Sequence, residues 1–190
     1  FPTRRSSDLD LILFIAACLL FGLNVFSQAE YQTFTYPSGQ IASEGWLHDG
    51  KPDGLWKTYY ESGQLKSVGK RTDFLLDSIW TFFTENGDTS LIISYRNDLK
   101  NGPRYTYSEN EVLMEPFVND VRQGEGKRCD RKGHVLQTMN FKNGLEEGVS
   151  PVFDTTGLLR EIITYRKGFG MTHEALNRYD REGKKHGYWK

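Results

Sequence analysis

Cysteine is nearly missing from this chain of 190 residues: there are 2, Cys18 in an apolar N-terminal run and Cys129. Removal of that run would leave a single thiol, which excludes an internal disulfide framework. An excess of either charge is missing too, with 24 basic against 25 acidic residues. That balance gives no electrostatic footprint for nucleic acid or an anionic membrane. The 4 histidines (His48, His134, His173, His186) are scattered and none stands at ligand spacing from a cysteine or carboxylate, so no metal site is expected. There is no Gly-x-Ser-x-Gly, no Cys–His arrangement and no phosphate loop, so neither a catalytic residue nor a cofactor is expected. Proline is sparse at 6. Helical periodicity does not occur beyond the N-terminal run.

That run, Leu11–Leu23 (LILFIAACLLFGL), is 13 residues long, short of the ~20 needed to span a bilayer. Small residues at Ser27 and Ala29 follow it. The layout predicts a cleavable export leader over 10–29, cut after Ala29. Ile15-Ala16-Ala17-Cys18 offers a lipoprotein box as the lesser alternative. Residues Phe1–Leu9 (FPTRRSSDL) read as a translated sequencing adapter and are set aside from fold reasoning. The expected location is the periplasm or the cell surface. Both chain ends read as truncated.

What the chain has is aromatics, at 14%, and 19 glycines. The glycines are ordered. Gly39, Gly63 and Gly87 are 24 residues apart; Glu111 takes the next slot, and Gly133 and Gly157 resume the series after one step of 22. A second ladder runs seven residues behind an aromatic: Tyr95 to Gly102, Phe117 to Gly124, Phe141 to Gly148. A period of this size means a repeat architecture. Units begin near 31, 55, 79, 103, 125 and 149. Each parses as strand, glycine turn, strand, Gly/Lys-rich turn, so residues 30–190 are predicted to be all-β: tandem antiparallel hairpins in one elongated, twisted, open sheet. About twelve strands are expected. In the fourth unit Asn110 is expected to replace the turn glycine in the left-handed conformation, and Pro116 to mark a bulge or a break.

Leu55-Trp56-Lys57-Thr58-Tyr59-Tyr60-Glu61-Ser62-Gly63-Gln64-Leu65, with Asp49–Gly54 ahead of it, resembles a MORN repeat in its longer bacterial variant form. Ile79–Gly87 repeats the pattern. Gly183–Lys190 matches Gly50–Lys57 and opens a further copy. The resemblance implies β-hairpin repeats without chemistry of their own. Bacterial variants carry an antitoxin-like label, meaning proteins that neutralise a partner, which suits an exported chain poorly.

In each unit the fifth residue (Thr35, Tyr59, Phe83, Tyr107, Cys129, Phe153) is expected on the buried face. The second (Trp56, Trp80, Arg104, Gly126, Ser150, and Trp189 in the last copy) alternates with it and is expected on the other face. Tyr60 joins that outer face. Trp56, Tyr60, Trp80, Arg104 and Trp189 are therefore the candidate binding residues, since aromatics beside arginine make hot-spot surfaces. Gly39, Gly63, Gly87, Gly133, Gly157, Tyr59, Phe83, Tyr107 and Phe153 are the structural positions. The reading that follows is a non-enzymatic exported scaffold that binds a protein through the exposed sheet face or edge. The alternatives are a cell-wall or glycan-binding module, for which Gly45-Trp46 is a single matching pair, and a repeat region joined to a catalytic domain beyond this chain. No membrane contact is expected apart from the leader.

Overall fold

The computed structural model describes residues 28–187 and Trp189. The adapter-like segment and nearly all of the expected leader lie outside the described residues. The rest is all-β. Seventeen strands follow one another: β1 Glu30–Thr35, β2 Ile41–His48, β3 Lys51–Tyr59, β4 Leu65–Thr72, β5 Leu75–Phe83, β6 Thr89–Arg96, β7 Leu99–Tyr107, β8 Glu111–Val118, β9 Val121–Arg122, β10 Gly124–Asp130, β11 Val135–Lys142, β12 Leu145–Glu146, β13 Gly148–Phe153, β14 Leu159–Arg166, β15 Phe169–Ala175, β16 Arg178–Tyr179 and β17 Lys185–His186. Fifteen form one sheet in which neighbours in sequence are neighbours in space, and β16–β17 is a separate hairpin. The pairs β9/β10 and β12/β13 are each one outward strand interrupted by a single residue, Gln123 or Glu147. Every pairing is antiparallel, as short connections require.

Two turn types alternate, and each has its own sequence cause. At one end of the hairpins, Tyr36 N–H donates to Gln40 O (2.8 Å) and Gly39 N–H to Tyr36 O (2.9 Å). The same two bonds recur at Tyr60, Thr84, Asp130, Asp154 and Asp180. This is the three-residue loop that ends in a left-handed residue. Gly39, Gly63, Gly87, Gly133 and Gly157 fill that place, with φ between 83° and 91°. At the other end the loops have two residues, both left-handed: Asp49-Gly50, Asp73-Phe74, Asn97-Asp98, Asn119-Asp120, Asn143-Gly144 and Lys167-Gly168. That is the type I′ geometry, whose twist matches the strands. Phe74, at φ 70°, is a bulky ring where the other copies use Asp or Gly.

The step of 22 has a structural origin. In the fourth unit Ser108 N–H donates to Glu111 O (2.9 Å) across only two loop residues. The register shift that flanks the other glycine tips, such as Phe82/Phe83, does not occur in β7–β8. One loop residue and one bulge residue are thus gone. Asn110 is not left-handed, contrary to expectation, because the shorter loop has no such position to fill. Pro116 leaves the β7–β8 ladder whole, pairing with Pro103 in register. On its other side the expected irregularity is present: the register shifts between Met114↔Lys127 and Phe117↔Arg122, and the Pro116 carbonyl accepts Gln123 N–H at 3.0 Å.

One face of the sheet is packed. The cross-strand pairs Trp80↔Ile93, Ile93↔Arg104, Arg104↔Glu115, Gly102↔Phe117, Gly124↔Phe141 and Ser150↔Ile163 place these residues on the same side. Trp80, Ile93, Phe117, Phe141 and Ile163 are the buried hydrophobic residues of the sheet. The expectation for the fifth position is corrected here. Tyr59, Phe83, Tyr107 and Phe153 are only half-buried, and the centre of the packed face is held by the second position and the returning strands. Strand alternation placed the two sets on opposite sides, as expected; the tryptophan side is the packed one.

Candidate functional site

The five candidate residues fall into three places. Trp56, Trp80 and Arg104 lie on alternate strands β3, β5 and β7 along the middle of the packed face. Trp80 is 5% exposed, which corrects its expected place on an open surface. The cause is a set of glycines in the neighbouring strands. Trp56 pairs with Gly45 and Gly69 on its two sides. A Cβ built on Gly45 would fall against the Trp56 ring, and one on Gly69 inside the Trp80 ring. Each indole therefore lies flat over bare backbone. Trp80 Nε1–H donates to Lys70 O at 3.0 Å, which satisfies its one polar atom. Burying an aromatic of this size contributes about 2–3 kcal/mol.

Arg104 is tied to Glu115 at 3.7 Å. Glu115 is 7% exposed, and it also meets Arg122 at 3.1 Å, which reaches on to Glu146 at 3.4 Å. Arg122 donates through Nη2 to Gly144 O (2.8 Å) and its guanidinium lies 4.5 Å from the centre of the Phe141 ring. A buried carboxylate needs such partners. Arg104 is thus part of an ion network that holds adjacent repeats together.

Tyr60 closes a turn. Its hydroxyl donates to Phe83 O at 2.8 Å, as Tyr36 does to Tyr59 O at 2.7 Å. Both bonds span 23 residues and bind one unit to the next. Trp189 stands apart from the others: it meets Tyr179 edge-on at 4.9 Å and lies under Lys185 Nζ at 4.4 Å. The structure thus joins Trp56, Trp80 and Arg104 in one line, but as packing, and separates Tyr60 and Trp189 from them.

Tyr59 donates its hydroxyl to Glu44 at 2.6 Å. Burial, with Glu44 beside it, pushes the phenol up to about 12, and the same bond holds the Glu44 carboxyl below its usual range. At the later tips aspartate does the work of tyrosine. His134 beside Asp130, and the Thr156 hydroxyl with backbone N–H groups around Asp154, hold those carboxyls below the ordinary range. Among the described residues no three His, Cys, Asp or Glu side chains are grouped as a metal site. Cys129 is a free, half-buried thiol.

The surface missed by the sequence reading is the opposite face. Leu55, Ile79 and Val149, the first residues of their units, are 51%, 61% and 54% exposed. Leu75, Leu99, Val121 and Leu145, each the first residue after a two-residue turn, are exposed as well. The signal in the sequence is a partial recurrence of aliphatic residues at the first place of the unit, and an aliphatic residue on a strand does not by itself mark a surface.

Residues 52–70 match the family model described as the MORN repeat variant. That span is the β3–β4 hairpin, with Trp56, Tyr59, Tyr60 and Gly63. The remaining strands continue its architecture. No curated protein matches the chain.

Proposed function

We propose that this chain is a non-enzymatic, exported repeat scaffold that binds protein through the sheet face opposite the packed one. The observation that carries this is the row Leu55, Ile79 and Val149. Its members are the first residues of the second, third and sixth units, with Pro103 and Glu125 between them, and they lie in solvent; Leu75, Leu99, Val121 and Leu145 form a second row near the two-residue turns. A single-layer sheet must pack one face and wet the other. Here the wet face carries aliphatic side chains in series, which is the composition of a contact surface. The family of the matched hairpin consists of repeat modules without catalysis, in line with a binding role. Export rests on the apolar run Leu11–Leu23 followed by Ser27 and Ala29.

The triple variant Leu55→Glu, Ile79→Glu, Val149→Glu tests the surface. These positions are already exposed, so the fold is expected to survive, as circular dichroism would show. Capture of protein from a cell-envelope extract should drop at least about tenfold, the effect of losing two or three contact residues. Undiminished capture by the triple variant removes this face as the binding surface. Mass spectrometry of the mature N-terminus tests export: cleavage after Ala29 is expected.

A further inference from the structure

Trp46 occupies a place that the fold does not need a tryptophan to fill. It lies two residues before the end of β2. The same place in the following copies holds Lys70, Ser94, Pro116, Asn140 and Thr164. Those copies form the same hairpins without an aromatic there. Trp46 is nonetheless 46% exposed, so its ring is not spent on packing. It is held in a defined orientation. Its register partner Tyr31 meets it edge-on, with centroids 5.4 Å apart and planes at 78°.

Beside the ring is a cleft of about 320 Å³ lined by Trp46, Leu47, His48, Asp53 and Gly54, with Ala29, the last residue of the expected leader, at its edge; cleavage after Ala29 opens that edge further. Its size is at the bottom of the range for small-molecule sites. Gly54, at φ 81°, brings no side chain to the ring's flank. Asp53 accepts the Gly54 N–H at 3.0 Å through Oδ1. That bond fixes the carboxylate at the rim.

We propose that this cleft is a subsite for a neutral pyranose. The indole offers the flat apolar platform on which the C–H face of a sugar ring stacks. Asp53 supplies acceptors for its hydroxyls. Other classes fit less well. Asp53 repels an anionic ligand. A quaternary ammonium needs a cage of several aromatic faces, whereas Trp46 is the one tryptophan, tyrosine or phenylalanine among the lining residues. Trp46 and Tyr31 lie on the same sheet face as the protein-binding rows, since Gly45 beside Trp46 faces the packed side, but the platform and rim of the cleft are residues outside those rows.

The test uses the full chain with methyl β-D-glucopyranoside, methyl β-D-galactopyranoside and N-acetylglucosamine as probes. Binding is read by saturation-transfer NMR and by indole fluorescence. At least one sugar should bind with a Kd of about 1 mM, as befits a shallow one-ring site. Trp46→Ala should abolish it. Trp46→Phe, which keeps a smaller platform, should weaken it about fivefold. Asp53→Asn should weaken it about tenfold through loss of a charged acceptor. Ile79→Glu and Val149→Glu lie outside the cleft and should leave sugar binding unchanged, so this subsite and the protein-binding face can fail separately. Thermal melting of each variant separates a lost site from a lost fold. The proposal is overturned by silence of all three sugars at about 50 mM. It is also overturned if Trp46→Ala binds as the parent does, or if tetramethylammonium binds at Trp46 while the sugars do not.

Discussion

The early hairpins, β2–β5, and the later ones, β8–β14, build the same sheet from different chemistry. In the early region the middle of the packed face is tryptophan over glycine: Trp56 over Gly45 and Trp80 over Gly69. In the later region Phe141 lies over Gly126, where a Cβ would come 2.7 Å from the ring. Between Phe117, Phe141 and Ile163 the later centre also holds polar residues. Gln137 donates to the Ser150 hydroxyl at 2.9 Å, which donates to Thr138 O at 2.6 Å. The tips differ in the same way. Tyr36 and Tyr60 reach across to the next unit. Asp130 and Asp154 bond back to N–H groups of their own loops at 2.9–3.0 Å. What stays constant is backbone: left-handed glycine at one end and a type I′ pair at the other. The repeat is thus defined by its turns, while the filling of the face is exchanged in matched pairs of large and absent side chains.

The comparison breaks most readily at a matched pair. Gly69→Ala puts a methyl group inside the space of the Trp80 ring, with no left-handed φ to complicate the reading. Overpacking of this kind costs about 3 kcal/mol, and urea denaturation should show it. Gly133→Ala meets nothing within 4 Å and strains only the backbone, at φ 91°. Its cost should be about 1–2 kcal/mol. Equal losses at the two sites would mean that the early glycines are turn formers like the others and not seats for rings.

Glu115 sharpens the later half. Its carboxylate serves Arg104 and Arg122 together from a buried position. Glu115→Gln keeps the shape and removes the charge. It should cost about 2–3 kcal/mol, since two cations lose their shared partner. In hydrogen exchange the loss should be concentrated between β7 and β12, because a repeat protein's stability is a sum of local terms. A uniform loss across β1–β15 would count against that locality.

The turns were legible in the sequence and the packing was not, for a physical reason. A left-handed φ leaves its mark as glycine at one residue, so Gly39, Gly63, Gly87, Gly133 and Gly157 could be read singly. Which face is packed depends on two strands at once. Trp80 reads as an exposed hot spot until Gly69, eleven residues earlier, is seen to lie beneath it. Arg104 likewise has no visible partner until Glu115 is placed opposite. Asn110 misled because a missing loop residue and a substituted one look alike until hydrogen bonds are counted.

Titration separates the two kinds of tip. Asp130 and Asp154 have carboxyls held below the ordinary range. Their contribution to stability is therefore complete above the unfolded carboxylate value of about 3.9 and lost as pH falls below it. Tyr59 is the opposite case, a phenol raised to about 12. Its contribution is complete below the unfolded value of about 10 and lost as pH rises between the two. Amide exchange followed by NMR should show the consequence. In acid the Lys132, His134, Thr156 and Leu158 amides should lose protection first, while Gly39 and Gly63, in tips closed by tyrosines, keep theirs. In alkali, protection should fail first around Glu44 and Tyr59. Acid also loosens Glu44, whose carboxyl is held below its usual range, so the decisive sign is elsewhere: if acid opened the Tyr36 and Tyr60 tips along with the aspartate ones, the two tip chemistries would not be independent. The early and later regions would then melt as one unit.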